Sequence, residues 1–70
     1  MERIDGKRLE AIRNYRMMSI SDIRRETGVS FQTIASIETG FTKGPQFTTL
    51  SKICHALRCK VSDVIVNEEG

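Results

Sequence analysis

Apolar residues recur along the chain in short helical periods, cut apart by glycines and one Gly-Pro pair. Between Lys7 and Arg16, Leu9, Ile12 and Tyr15 recur at every third position, which aligns them on one helical face, and Asp5 is the N-cap candidate. The next segment, Ser19 to Thr27, opens on a serine and carries Asp22 three residues on. This is a near version of the capping box, in which each side chain satisfies an otherwise unpaired backbone N–H. Gly28 stops that helix, and only Val29 separates it from a new cap, Ser30. A third helix is predicted from about Phe31 to Thr39 with Ile34 and Ile37 inward, ending at Gly40. The stretch Phe41-Thr42-Lys43-Gly44-Pro45 is the one loop of any length, because Gly-Pro forces extended backbone. Phe47, Leu50, Ile53, Cys54 and Leu57 then form one apolar stripe, a fourth helix. A short fifth element, Val61 to Val66, holds Val61, Val64 and Ile65 at helical spacing. The pattern divides the chain into one domain, residues 1–66, and a fraying acidic tail, residues 67–70.

Seventy residues allow one small core, which disfavours most enzymes and leaves no pocket of the usual ~300–1,000 Å³. A charged fraction of 29% with both signs interspersed argues against disorder. No apolar stretch approaches the ~20 residues that cross a bilayer, so no membrane association is expected. Met1-Glu2-Arg3-Ile4-Asp5 lacks the apolar stretch of a secretory signal, which points to the cytoplasm. A net charge of +2 permits an anionic partner but is too small to bind nucleic acid by charge alone. If DNA is the ligand, the placement of donors must matter more than their number.

The unit from Ser19 to Gly40, two short helices across a glycine turn, has the helix-turn-helix arrangement. Four segments carry a wider likeness. They are Leu9-x-x-Ile12-Arg13-x-x-Arg16, Met18-Ser19-x-x-Asp22-Ile23-x-x-x-x-Gly28-Val29-Ser30, Thr33-Ile34-x-x-Ile37-Glu38-x-Gly40, and Pro45-x-Phe47-x-Thr49-Leu50-x-x-Ile53-x-x-Ala56-Leu57. From about Leu9 to Ile65 the chain closely resembles the lambda-repressor-like (Cro-type, XRE) helix-turn-helix family of bacterial and phage transcriptional regulators. The resemblance implies an all-α, compact five-helix bundle that binds double-stranded DNA, with base-reading positions at Ser30, Phe31, Gln32, Thr33 and Ser36. It implies phosphate contacts from Ser19, Thr42, Lys43 and Gln46, and an orienting ion pair between Arg13 and Glu38.

The side-chain chemistry agrees at Gln32, whose amide donates and accepts together and so can pair bidentately with adenine. Phe31 cannot hydrogen-bond, so its natural partner in a groove is a thymine methyl group, although a partly buried core role is equally open. For Arg24 and Arg25, solvated helix-surface arginines are the simpler reading. The chain departs from the family at three positions. Ile20 replaces a glutamine that follows the cap, Arg24 an alanine between close helices, and Met17 the glycine that ends the first helix.

Cys54, His55 and Cys59 raise a metal site, but their number and spacing do not close one, and both cysteines read more simply as small buried hydrophobes. His55 lacks a nucleophile and an orienting partner at any recognisable spacing. No catalytic residue, cofactor, metal or small-molecule ligand is therefore expected. The expected function is sequence-specific DNA binding by a repressor, whose recognition of two half-sites implies a homodimer through the C-terminal segment. The alternative is a protein-binding module, such as an antitoxin or adaptor, docking through Met17, Met18 and the Val64-Ile65-Val66 run.

Overall fold

The structure, a computed structural model of the chain, describes residues 2–42 and 45–67. It runs from a short strand β1 (Glu2–Ile4) through four α-helices, α1 (Gly6–Tyr15), α2 (Ile20–Thr27), α3 (Phe31–Thr39) and α4 (Phe47–Ala56). A single 3-10 turn, Val61–Val64, then leads into β2 (Ile65–Asn67). The expected fifth helix is therefore not present, and the fold is mostly helical with a small sheet rather than all-α. The cause lies in residues 61–66, where four of six side chains are β-branched aliphatics that suit an extended chain. β1 supplies the partner that the pattern of apolar residues did not reveal. It pairs antiparallel with β2, Glu2 opposite Asn67 and Ile4 opposite Ile65, and the Asp5 N–H extends the ladder to the Val64 carbonyl at 2.8 Å.

α1, α2 and α3 each start where a side chain takes over an unpaired N–H, but the ends differ. Asp5 accepts from the Lys7 N–H at 3.0 Å at the head of α1. Gly28 and Gly40 end α2 and α3 at φ +77° and +83°, and a Cβ on either would have nothing within 4 Å, so conformation and not space selects glycine there. α1 and α4 turn left-handed without glycine, at Met17 (φ +57°) and Arg58 (φ +55°). Both close as Schellman motifs. Met18 N–H donates to the Arg13 carbonyl and Met17 N–H to Asn14, and the same pair of bonds joins Cys59 to Cys54 and Arg58 to His55. The cysteines thus occupy the two positions that usually make the apolar contact of this motif. Burial pushes the Cys54 thiol up to about 12 and raises Cys59 as well.

The core is aliphatic, built from Leu9, Ile23, Ile34, Ile37, Leu50, Ile53, Leu57 and Val64 with Cys54. Tyr15 and Phe47, which the apolar pattern placed on inward faces, are 79% and 70% exposed. At 100° per residue, two steps of three fall well behind the turn of a helix, so Tyr15 has rotated away from the face that holds Leu9. The 3.6-residue period instead brings Ile12, Arg13 and Arg16 onto that face. Arg16 there donates from Nε to the Leu57 carbonyl (3.0 Å) and from Nη2 to the Arg58 carbonyl (3.3 Å), tying down the end of α4. Phe47 is the first residue of α4, and a helical side chain covers the turn before its own, which here does not exist.

α1 crosses α3 at a point where only glycine fits. A Cβ at Gly6 would collide with the carbonyl oxygens of Ile37 and Glu38, backbone atoms that cannot swing aside. Gly6→Ala is expected to lower unfolding free energy by about 1–3 kcal/mol, read as a fall in the urea midpoint at unchanged slope. Met17→Gly should act oppositely. Relief of ~1–2 kcal/mol of left-handed strain exceeds the ~0.5–1 kcal/mol of added chain entropy, and the side chain, 90% exposed, gives up no core contact. A higher melting temperature for that variant is the expected outcome.

Candidate nucleic-acid interface

The α2–turn–α3 unit is fixed by side-chain hydrogen bonds at each corner. Ser19 Oγ accepts from the Asp22 N–H at 3.0 Å while the Ser19 N–H donates to Asp22 Oδ2 at 2.8 Å, a reciprocal capping box. The Ser19 backbone N–H, with its hydroxyl, holds the Asp22 carboxyl below the usual carboxylate range. The N–H groups of Ile20 and Ser21, which have no intrahelical acceptor so early in α2, point out of this end. Ile20 itself packs half-buried against the core.

Thr27 stitches the turn: its Oγ1 donates to the Ile23 carbonyl at 2.7 Å and accepts from the Val29 N–H at 3.1 Å. No reading of apolar periodicity marks Thr27, because its signal is a local hydroxyl bond and not a face. Val29, the one residue between Gly28 and Ser30, packs against the core, so the link is held from both sides.

Ser30 then caps α3, accepting from the Thr33 N–H at 3.2 Å, and its hydroxyl is also hydrogen-bonded to Thr33 Oγ1 at 2.8 Å. Phe31 is 48% exposed and lies outside the buried cluster, and Gln32 is exposed, while Thr33 and Ser36 are half-buried. The loop after α3 folds back onto it, since the Thr42 N–H donates to the Ser36 carbonyl at 3.1 Å. Gln46 caps α4 with its backbone alone and leaves its side chain exposed. Lys43 lies outside the described residues. Four of the five leading side chains of α3 therefore sit within one turn of its start, and Ser36 sits beside Thr42.

The opposite end of α3 is held by an ion pair. Arg13 Nε and Nη2 meet Glu38 Oε2 and Oε1 at 2.7 and 3.0 Å, and Nη1 donates to the Met18 carbonyl at 2.9 Å. The Glu38 side chain is 3% exposed and that of Arg13 14%. Donating to Glu38 raises the Arg13 guanidinium above its ordinary value. No buried side-chain nitrogen or oxygen among the described residues lacks a hydrogen-bond partner.

Other charged groups are spent on the surface. Arg24 is exposed, and Arg25 pairs with Asp22 at 2.8 Å. His55 is exposed on a groove between α2 and α4 of about 690 Å³, lined also by Glu26, Thr27, Ser51, Lys52 and Ala56. That volume corrects the expectation of no space in the ligand-pocket range, but the groove is an open trough and not an enclosed pocket. Among the described residues no group of three or more His, Cys, Asp or Glu side chains is placed to hold a metal ion. None of the described helices is long and apolar enough to cross a membrane.

A braced second helix with its start open to solvent, set across a tight turn from the helix that supports it, defines a helix-turn-helix protein. The chain belongs to the Cro/C1-type HTH DNA-binding domain family, whose profile matches residues 8–69. The family is one of DNA-binding domains in transcription regulation and not of enzymes. The chain is 28% identical over 50 residues to YozG of Bacillus subtilis (strain 168), an uncharacterized HTH-type transcriptional regulator, covering 71% of this chain and 60% of that protein. The match therefore spans 60% of that relative's length, less than two thirds. The crystal structure of SinR, the master regulator for biofilm formation, in complex with DNA superposes with a TM-score of 0.78 at 26% identity. That match covers 83% of this chain and 95% of the SinR chain.

Glu38→Gln should strand a largely desolvated guanidinium and cost about 3 kcal/mol in chemical denaturation. The double change Arg13→Met with Glu38→Leu should recover most of that loss, because two well-packed apolar groups replace a costly desolvated pair.

Proposed function

We propose that this chain is a sequence-specific repressor of transcription, which places the start of α3 in the major groove of double-stranded DNA. The observation that carries the reading is the exposure of Phe31 and Gln32 at the capped leading end of a helix whose other end is clamped to α1. Ser30, Phe31, Gln32, Thr33 and Ser36 face the bases, and Gln32 takes adenine through its amide. Ser19, the outward N–H groups of α2, Thr42, Lys43 and Gln46 hold the phosphates on either side. The Arg13–Glu38 pair serves orientation and not chemistry.

One such domain spans few base pairs, so the chain acts as a homodimer on two half-sites about one helical turn (~34–36 Å) apart, joined through its C-terminal segment. It represses by occupying the DNA it covers, in the cytoplasm, with no cofactor. Of the rival protein-docking residues, Val64 is buried and Met18 packs against the core, whereas Ile65 and Val66 are half-buried and Met17 stands outside.

Selection of bound duplexes from a random pool at two salt concentrations tests this reading. A two-fold symmetric motif and an affinity that falls steeply with salt are expected, and failure to retain any duplex at low salt would overturn it. Gln32→Ala should relax preference at one or two base positions with little change in salt slope, whereas Lys43→Ala should weaken all sequences alike and flatten the slope by about one unit.

A further inference from the structure

Five residues at the front of α3 face the groove in the reading above, and the structure separates them by how free their groups are. The hydroxyls of Ser30 and Thr33 are hydrogen-bonded to each other at 2.8 Å, and Ser30 Oγ also accepts the Thr33 N–H. Recruiting either to a base means sharing or breaking bonds that hold the helix start together. Ser36 is half-buried one turn further back, under the loop that returns through Thr42. Phe31 and Gln32 are left as the two exposed side chains of the leading turn with no internal hydrogen bond to give up.

We propose that Phe31 is a specificity residue that selects thymine through its 5-methyl group, at a base pair neighbouring the adenine taken by Gln32. The inference rests on the DNA-reading role proposed above. Phe31 is the first residue of α3, and side chains at this point of a helix lean toward its N-terminus, beyond the last backbone atoms. In a helix that enters a groove by its start, the ring is then among the first groups to arrive. Its exposure of 48% and its place outside the buried cluster show that the core does not enclose the ring.

A phenyl ring offers no donor or acceptor. Set against cytosine N4 or guanine O6 it would leave a polar base edge dehydrated and unpaired, a penalty that thymine avoids by presenting a methyl group. Successive residues on a helix diverge by about 100° and do not face each other, so Phe31 and Gln32 reach different bases. The half-site they define contains a T·A pair, read through its methyl group, next to an A·T pair, read through its hydrogen-bonding edge.

The test uses the full chain and a duplex recovered from the random-pool selection. Each thymine of one half-site is replaced singly by deoxyuridine, which removes the 5-methyl group and keeps every hydrogen-bonding atom. One position is expected to lose about three- to fivefold in affinity, the effect of one buried methyl group, and to adjoin the position whose preference relaxes in Gln32→Ala. The loss should vanish in Phe31→Ala and persist in Phe31→Leu, both checked for helical content and melting temperature. Tight duplex binding in which no thymine responds to methyl removal overturns this inference and leaves the DNA-reading role standing. So does a response that survives unchanged in Phe31→Ala. Absence of binding to any duplex overturns both. The uracil scan on the unmodified chain keeps the inference falsifiable even if Phe31→Ala does not fold, because a half-site in which no thymine responds overturns it.

Discussion

The trailing end of α3 is held on α1 by two contacts of different character, and the rest of the molecule is arranged around them. Gly6 lets the first turn of α1 lie directly on the Ile37 and Glu38 carbonyls, which fixes how near the helices come. The two-pronged Arg13–Glu38 bond fixes how α3 is rotated about its own axis. Rotation matters more than distance for recognition, since a turn of 100° replaces each outward side chain by its neighbour in sequence. A buried ion pair adds little net stability over apolar groups, but its forked geometry tolerates one orientation where a patch of methyl groups would tolerate several. The third arm of Arg13, on the Met18 carbonyl, links the same guanidinium to the turn that launches α2. One side chain thereby sets both halves of the helix-turn-helix.

The division of labour between side-chain types follows from the size of the chain. Its buried cluster is aliphatic, and the four aromatic residues, Tyr15, Phe31, Phe41 and Phe47, all stand substantially outside it. Polar side chains do local work at the corners: Asp5, Ser19 with Asp22, Thr27, and Ser30 with Thr33 each satisfy backbone groups within four residues of themselves. Short hydroxyl and carboxylate bonds of this kind cost little chain entropy, which suits a domain whose core is small.

The four α-helices were legible because their boundaries carry strong local chemistry, a serine or aspartate at three of the starts and glycines at 28 and 40. Faces were read less well. Counting apolar residues alone assigned Tyr15 inward and passed over Arg13 and Arg16, whose aliphatic stems and charged ends share the inner face of α1. The sheet was hidden for a different reason. Strand β1 spans three residues with one apolar side chain, Ile4, and its pairing spans the length of the chain, so β1 has no local signature and the β-branched run of β2 had no visible partner. Gly6 left no trace either, since a glycine in a first helical turn looks like a weak start until the opposing backbone is known. At the interface, residue types suggested Gln32 and Phe31, but the mutual bond of Ser30 and Thr33 that sets those two apart is a three-dimensional fact.

The pairing of β1 with β2 brings Glu2 opposite Asn67, so the two ends of the described chain leave the body at one corner. That corner adjoins the start of α1, which rests on the last turn of α3, about a helix length (~12 Å) from Ser30. A fluorophore, affinity handle or second domain attached at Glu2 or Asn67 would therefore emerge from the same corner, beside the trailing end of α3. Attachment at both positions at once would bring two passengers into collision, whereas a single passenger leaves the start of α3 clear.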